Sequence, residues 1–230
     1  IDFVQEPYFS DASVEKEKGI ITQEILMYQD QPDWVSYMQT IKNMYHELPI
    51  HIDIAGTVTS IQEITKEDLY TCYETFYHPH NMVLFIIGNF AVEELSALIE
   101  ENQAQKQFSA QHEIKRFYPE EPSAVVTREK VMHMPVELPK VNVGIKARAN
   151  FADRNDQLKT ELIQQMLLDY FFSPSGAFYH NLLAEQLIDE SFEYSTTVEK
   201  QFNFTMLGGN TLYPDKLVAK LRDLLLQMKM

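Results

Sequence analysis

The amino-acid sequence predicts an α+β protein with two domains. Segments with helical periodicity are mixed with short apolar segments typical of strands, and the two kinds do not alternate strictly. The chain has 230 residues, which is enough for two domains of ordinary size. A polar stretch with charges and prolines separates an earlier from a later half. We therefore expect two related domains, each a mostly antiparallel sheet with helices packed on one face.

The earlier half begins with three predicted helices. Apolar residues recur at helical spacing from Ser13 to Tyr28 and again from Trp34 to Tyr45, where Asp33 is placed to cap the second helix. Thr65, with Asp68 three residues later, forms a variant of the capping box and predicts the start of the third helix. Most of this half should therefore be helical.

A strand is then predicted from Asn81 to Asn89, because this segment contains the uninterrupted apolar run Met-Val-Leu-Phe-Ile-Ile. Another helix is expected from Val92 to Gln103. The polar residues that follow should make few packed contacts. We therefore assign residues 1–108 to the first predicted domain and residues 109–124 to a linker.

Residues 125–230 form the second predicted domain, which mixes strands and helices. Its predicted elements are strands at Val125–Met134 and Val141–Arg148, helices at Asp156–Phe172 and Ala177–Leu187, a hairpin of Phe192–Val198 with Phe202–Leu207, and a helix at Pro214–Met230.

Composition excludes several classes of function. Acidic side chains outnumber basic ones by 34 to 19, so phosphate backbones and anionic lipid would be repelled, and we expect no nucleic-acid or membrane partner. No apolar run approaches the ~18 residues of a membrane span. The single cysteine, Cys72, forms no internal disulfide and is expected to act as a small hydrophobe on a helix. A reducing, cytoplasmic location fits best.

Glu17 and Glu24 share one side of the first predicted helix. Seven residues at about 100° each return to within about 20° of the starting direction. Two carboxylates at this spacing suit a divalent metal ion with a nearby proton transfer. The alternative is a solvated helix face, on which glutamates are common, and the spacing alone favours that alternative.

Several segments, in one order along the chain, match a known family. They are Val14–Met27, Asp30–Asp33, Ile54–Ile61, Phe76–Met82 with the strand and Gly88-Asn89 that follow, Leu138–Val141, Leu187–Phe192 and Gly208–Thr211. Together they resemble the pitrilysin/insulinase zinc metallopeptidases, which include mitochondrial processing peptidase, and the later segments resemble a bacterial branch. The resemblance covers nearly the whole chain.

The resemblance implies that Glu24 is the family's third zinc ligand and that Glu17 is the acidic residue that supports the active site. The other two ligands and the general base belong to the motif H-x-x-E-H, and the zinc ion acidifies a bound water that attacks the peptide carbonyl. This motif should lie several tens of residues before Glu24, and none of the seven histidines forms it. His78 and His80 flank a proline at a turn, so we interpret them as turn residues.

We therefore expect an incomplete piece of such a peptidase. Residues 1–108 would be the C-terminal part of the zinc-ligand-bearing domain, and residues 125–230 the N-terminal part of a second, homologous domain. One carboxylate is a poor zinc site, so zinc is expected in the intact protein but not bound to this chain, which should be inactive.

The family also uses an arginine and a tyrosine of the second domain to hold the substrate backbone. The segment Ser175–Tyr179 stands where the arginine is usual and contains none. Tyr194 is the candidate for the tyrosine, and an ordinary strand aromatic is the alternative. The missing arginine suggests that a homologous subunit or a second copy of the chain completes the site.

Two functions follow. The first is a zinc-dependent metalloendopeptidase that cleaves peptides or unfolded segments. The alternative is a non-catalytic homologue that binds a substrate or a partner subunit. The sequence upstream of Ile1 would discriminate between them, because only the enzyme requires the histidine motif there.

Overall fold

The structure, a computed structural model, describes residues 1–110 and 113–228. Its contacts group the chain into two units that interleave along the sequence: unit 1 comprises Ile1–Gln23 and Thr57–Phe117, and unit 2 comprises Glu24–Gly56 and Tyr118–Met230. No sequence pattern indicates that residues 24–56 group with the later half. The division of the chain at 109–124 stays a prediction. Its residues 111 and 112, and the last two residues of the predicted final helix, lie outside the described residues.

Unit 1 consists of helices and loops wherever the structure describes it. Its helices are α1 (Asp2–Gln5), the first part of α2 (Asp11–Gln29), α4 (Val58–Glu63), α5 (Lys66–Phe76) and α6 (Val92–Ala104). The capping box predicted for α5 is present, since Thr65 Oγ1 accepts from the Asp68 N–H at 3.2 Å and Asp68 Oδ2 accepts from the Thr65 N–H at 2.8 Å. The short helices α1 and α4 were not predicted.

The strand predicted from Asn81 to Asn89 is wrong for this structure. Pro79–Asn81 is a turn of 3₁₀ helix, and residues 82–89 belong to neither helix nor strand. A strand requires a partner for its backbone N–H and C=O groups, and unit 1 contains no other strand among its described residues. The sheet expected for the first domain is therefore not formed there.

Unit 2 holds a three-stranded antiparallel sheet in the order β1-β3-β2, which confirms the α+β class. Its elements are the last part of α2, α3 (Pro32–Met44), β1 (Lys140–Ala147), α7 (Arg154–Phe172), α8 (Ala177–Ala184), β2 (Glu193–Val198), β3 (Asn203–Asn210) and α9 (Pro214–Met228). The predicted hairpin is confirmed as β2 and β3. No helix in the described ranges is both long and apolar enough to span a bilayer.

Helices cover both faces of this sheet, not one face. On the first face, Phe204 and Met206 of β3 form a core cluster with Ile41 and Met44 of α3. On the second face, Leu207 packs with buried residues of α7, α8 and α9, namely Leu168, Phe172, Leu182, Leu217 and Leu221. Alternate side chains of β3 are thus buried on opposite faces, so that its first six residues, Asn203 to Gly208, are all buried.

Three further expectations are wrong. Residues 125–134 form no strand, although Val125 packs against the first-face cluster. Asp33 does not cap α3, because Pro32 occupies the first helical position, where its missing N–H costs nothing, and Gln31 is the cap. Cys72 is exposed, and α5 buries none of its residues, so Cys72 is not a packed hydrophobe.

Glu121 connects the end of the predicted linker to other parts of unit 2. Its carboxylate accepts hydrogen bonds from the backbone N–H groups of residues 46, 47 and 48 at 2.9, 2.8 and 3.0 Å. Lys146 of β1 donates to the same carboxylate at 2.5 Å, and both side chains are largely buried. Burial raises the pKa of Glu121, but the hydrogen bonds from Lys146 and the three N–H groups outweigh it and lower this pKa to about 2.

Candidate functional site

The two candidate carboxylates lie on one uninterrupted helix. Glu17 and Glu24 both belong to α2 and are both exposed. Val14 and Ile25 form the buried side of α2, with 7% and 3% of their surfaces exposed. Positions seven apart on an ideal α-helix return to within about 20° of one direction, so a shared side for the two glutamates stays a prediction.

Glu17 and Glu24 also differ in their interaction partners from Glu15, the third glutamate of the segment Val14–Met27. Glu15 accepts a hydrogen bond from Lys18 at 2.6 Å, and Lys18 donates in addition to the Gln62 carbonyl at 3.1 Å. Neither Glu17 nor Glu24 forms an ion pair with any residue in the described ranges. Both carboxylates are therefore available to a cation or to a hydrogen-bond donor.

The residues that the structure describes do not supply a zinc site. Among them, no group of three or more histidine, cysteine, aspartate or glutamate side chains lies close enough to hold a metal ion. Glu24 offers carboxylate oxygens but no nitrogen donor, whereas zinc sites in proteins use about three protein ligands. Glu24 thus fits one ligand of a zinc ion, and the part of the chain that the structure describes does not form the whole site.

His78 and His80 lie in the turn between α5 and the apolar residues that follow. His78 is buried, and its Nδ1 accepts from the backbone N–H of His80 at 3.2 Å. With Nδ1 as the acceptor, Nε2 is the protonated nitrogen and donates to the Ser109 carbonyl at 3.0 Å. Both ring nitrogens of His78 are engaged, so neither offers a lone pair to a metal ion.

Tyr194 lies on β2, where its ring packs against the core of the second face. Its hydroxyl donates to Asp169 Oδ1 of α7 at 2.9 Å. Burial of the ring, followed by the hydrogen bond and the charge of Asp169, raises the pKa of Tyr194 above its ordinary value. The phenol therefore stays neutral and is oriented by a carboxylate.

Ser175–Tyr179, where the family's arginine is usual, contains no cation. It forms the turn before α8 and the start of that helix, and Phe178 packs against Phe172 with ring centres 5.7 Å apart. The structure therefore gives this segment a core role. No substrate-holding cation is present at these positions.

A pocket of about 550 Å³ on the first face of the sheet was missed by the sequence analysis. Trp34 and Tyr37 of α3 stack on one side of it, with ring centres 5.8 Å apart. Lys140 pairs with Asp33 at 2.9 Å on its rim, and Glu193 lies nearby on β2. Asn142, Ser195 and Gly208 line it from the three strands, and no signal in the sequence connects these residues with α3.

The chain matches known proteins over nearly its full length. The profile of the "Peptidase M16 inactive domain" matches residues 63–229. The uncharacterized zinc protease YmfH of Bacillus subtilis is 48% identical over 227 residues, which are 99% of this chain and 53% of YmfH. An uncharacterized zinc protease of Rickettsia felis is 30% identical over 38% of this chain and 21% of that protein.

Solved structures agree in fold. The chain superposes on an M16-like peptidase from Alicyclobacillus acidocaldarius with a TM-score of 0.91 and 46% identity, over 98% of this chain and 53% of that one. A protease from Helicobacter pylori shares the fold with a TM-score of 0.72 at 18% identity, over 94% of this chain and 53% of that one.

The chain thus spans about half the length of the relatives that it matches throughout. The profile covers well over half of the 230 residues but begins after Glu17 and Glu24. The four relatives described above are bacterial, and the two identified by sequence are named zinc proteases. The chain belongs to the M16 peptidases, the pitrilysin/insulinase family, and carries that family's inactive domain.

Proposed function

We propose that this chain is part of a zinc-dependent metalloendopeptidase and contributes Glu24 to the zinc site. The observation that carries the proposal is that Glu17 and Glu24 of α2 are exposed and form no ion pair within the described ranges, in a relative of named zinc proteases. Glu24 would supply one oxygen ligand. Glu17, two turns earlier, would hold or accept a proton beside the same site.

When bound, zinc supplies an acidified water and polarises the peptide carbonyl. The described residues form no cluster that could complete the zinc site, so we expect this chain alone not to cleave peptides. The remaining ligands would come from polypeptide beyond the matched half of the relatives, or from a homologous subunit. A cytoplasmic location is part of the proposal and rests on the unpaired, exposed Cys72.

Tyr194 is our candidate for holding the substrate backbone. Its hydroxyl donates to Asp169, which leaves the phenol oxygen with acceptor capacity for a peptide N–H. The neutral phenol suits this task over the whole physiological pH range, because its pKa is raised. Extended peptides or unfolded segments are the substrate class that such a backbone contact would recognise.

The test compares the 230-residue chain alone with the same chain joined to the part of Bacillus subtilis YmfH that the match does not cover. We expect zinc-dependent cleavage of an unfolded peptide only by the joined protein. In that protein Glu24→Gln should lower zinc affinity at least tenfold, as read by metal analysis after dialysis. Glu15→Gln is the matched control and should leave zinc bound, since Glu15 already pairs with Lys18.

Zinc-dependent cleavage by the 230-residue chain alone would contradict the proposal. So would equal zinc content in the Glu24→Gln and Glu15→Gln proteins.

The second candidate function is a non-catalytic subunit that binds a substrate or partner. It is favoured by the match to the inactive domain, which covers most of the chain. Under this function the joined protein would bind peptide without cleaving it at any zinc concentration. Peptide binding that is weakened by Tyr194→Phe and unaffected by Glu24→Gln would support it.

A further inference from the structure

The pocket on the first face of the sheet, hereafter the first-face pocket, has the size of a small-molecule site. Its volume is about 550 Å³, and such sites usually measure roughly 300–1,000 Å³. Residues of Gln31–Tyr37, at the start of α3, form its wall, and all three strands contribute to its floor. Every residue that lines it belongs to unit 2, so the pocket is complete within one unit.

The floor of the first-face pocket is polar. Glu193 of β2 and Asn142 of β1 are both paired with Gly208 of β3, which places the three residues in one row across the sheet. Gly208 contributes no side chain, so a carboxylate and an amide stand on either side of a gap. Ser195 lies on the same face as Glu193, whereas the ring of Tyr194 between them packs on the second face. The pocket is thus distinct from the substrate contact proposed for Tyr194.

The wall of the pocket is aromatic. Trp34 and Tyr37 are both partly exposed, and their rings are stacked with centres 5.8 Å apart and planes inclined by 27°. The indole Nε1 of Trp34 already donates to Asp53 Oδ2 at 3.1 Å. Trp34 therefore offers the pocket the surface of its ring and not its N–H group. The faces of aromatic rings carry negative partial charge and attract cations, and tryptophan does so most strongly.

The charges of the pocket favour a cation as well. Its charged lining residues are Asp33, Lys140 and Glu193, two carboxylates and one ammonium group, with a net charge of −1. Lys140 pairs with Asp33 at 2.9 Å and also donates to Asn210 Oδ1 at 2.9 Å. Glu193 is exposed and forms no ion pair with any residue that the structure describes. An anion would be repelled by Glu193 and would compete with Asp33 for Lys140, whereas a cation would meet a carboxylate without a counter-ion.

We propose that the first-face pocket binds an organic cation, a guanidinium or alkylammonium group, held by Glu193 and the rings of Trp34 and Tyr37. Glu193 supplies the opposite charge, and the rings supply cation–π contacts. Asn142 and Ser195 offer side-chain oxygens that can accept further N–H groups. The cation belongs either to a free small molecule or to a basic side chain of a polypeptide. This assignment does not depend on zinc or on catalysis.

The fluorescence of Trp34 tests the assignment directly, because it is the single tryptophan of the chain and lines the pocket. Butylguanidinium is the probe, and butylurea, which has a similar shape and no charge, is the matched control ligand. We expect a saturable change with butylguanidinium at about tenfold lower concentration than with butylurea. A pentapeptide with one central arginine distinguishes the two sources of the cation. Tighter binding of the peptide than of butylguanidinium would indicate a polypeptide, and equal binding a free small molecule.

Substitutions in the pocket identify the groups that bind the cation. Glu193→Gln should weaken the binding of butylguanidinium about fivefold, the effect of one ion pair near water. Glu199→Gln is the matched control and should have no effect, since Glu199 is exposed in the turn between β2 and β3 and does not line the pocket. Tyr37→Leu should weaken binding about threefold through the loss of one aromatic face. Urea unfolding establishes that each variant is folded.

Several results would overturn the assignment. They are the absence of binding by any of these cations, equal binding of butylguanidinium and butylurea, and equal affinities in the Glu193→Gln and Glu199→Gln proteins. Calorimetry on the chain joined to the unmatched part of YmfH provides a further check. Binding should persist there, and its loss would show that polypeptide fills the pocket in the longer protein, which would also overturn the assignment.

Discussion

At the scale of single residues, Glu121 holds together parts of unit 2 that are distant in sequence. One carboxylate receives three consecutive backbone N–H groups, from residues 46–48, and the ammonium group of Lys146. Lys146 also donates to the carbonyl of Met44 at 2.8 Å and lies over the ring of Tyr45. The loop after α3, the predicted linker and β1 are thus fixed to one another by a buried ion pair.

Replacing Glu121 by glutamine should destabilise unit 2 by about 3 kcal/mol, because Lys146 would remain buried without its counter-ion. Urea unfolding followed by tryptophan fluorescence measures this loss. The single tryptophan, Trp34, lies in unit 2 and therefore reports on that unit alone. Glu120→Gln is the control, since the neighbouring Glu120 is exposed, and it should change the stability by less than about 0.5 kcal/mol. Equal losses in the two variants would contradict the role of Glu121.

The same residue predicts a pH dependence. The pKa of Glu121 is about 2 in the folded protein, against an ordinary value of 4.5. A lowered pKa means that Glu121 stabilises the fold fully above its ordinary pKa, and that this stabilisation is lost as the pH falls towards 2. The difference in unfolding free energy between the native protein and Glu121→Gln should therefore stay constant from about pH 7 to pH 5 and shrink below that. A difference that does not change down to about pH 3 would show that Glu121 is not charged in this way.

At the scale of elements, the contact between β1 and β3 depends on the absence of a side chain at Gly208. A Cβ atom there would lie 2.2 Å from the backbone oxygen of Val141 and 3.0 Å from the Cα of Asn142. These are backbone atoms of the paired strand, so they cannot move aside without separating the ladder. Gly19 on α2 is the opposite case, because a Cβ atom there would meet nothing within 4 Å.

We expect Gly208→Ala to destabilise unit 2 by about 3 kcal/mol through overpacking. Gly19→Ala should stabilise α2 by about 0.5–1 kcal/mol, since alanine restricts the unfolded chain and favours the helix. Thermal unfolding followed by far-ultraviolet circular dichroism measures both changes. A tolerated Gly208→Ala would show that the two strands are not held at this distance.

Elements whose signals are local were predictable from the sequence. The capping box of Thr65, the hairpin of β2 with β3, and the helix α7 each depend on residues close together in the chain. The predicted strands at 81–89 and 125–134 failed because a strand depends on partners that are distant in sequence. Apolar side chains in these segments suit a strand, but they do not specify whether a partner strand is present.

At the scale of the whole molecule, unit 2 is assembled from two separate stretches of the chain. Residues 24–56 supply α3, and residues 118–230 supply the sheet on which α3 packs. The interior between them includes Ile41 from the early stretch and Phe204 from the late one, which are 2% and 1% exposed. The later stretch should therefore not be stable without the earlier one.

Ile41→Ala should lower the free energy of unfolding of unit 2 by about 3–4 kcal/mol, because it opens a cavity against Phe204. Ile54→Ala lies in the same early stretch and is the matched control, since Ile54 is fully exposed. It should change the stability by less than about 0.5 kcal/mol. Trp34 fluorescence in urea measures both, and a harmless Ile41→Ala would show that the early stretch does not support the sheet.

The candidate site was predictable only in part, because some of its contacts join residues that are distant in sequence. The seven-residue spacing of Glu17 and Glu24 predicts one side of a helix, and both residues lie on α2. The pocket beside Trp34 could not be foreseen, because it joins α3 to strands more than a hundred residues later. The hydrogen bond between Tyr194 and Asp169 was likewise missed, since it depends on how α7 crosses β2.

Because the two units interleave along the sequence, the ribosome synthesises α3 long before the strand β3 on which it packs. Phe204 is translated 148 residues after Gly56. Translation proceeds at roughly 5–20 residues per second. The strand that covers the apolar side of α3 is therefore synthesised roughly 7–30 s after this early stretch. During this interval Met38, Ile41 and Met44 face water on a nascent chain, which makes this helix a target for chaperones that bind exposed apolar segments. Slow codons between residues 57 and 203 would lengthen that exposure, and rapid translation there would protect the chain from aggregation.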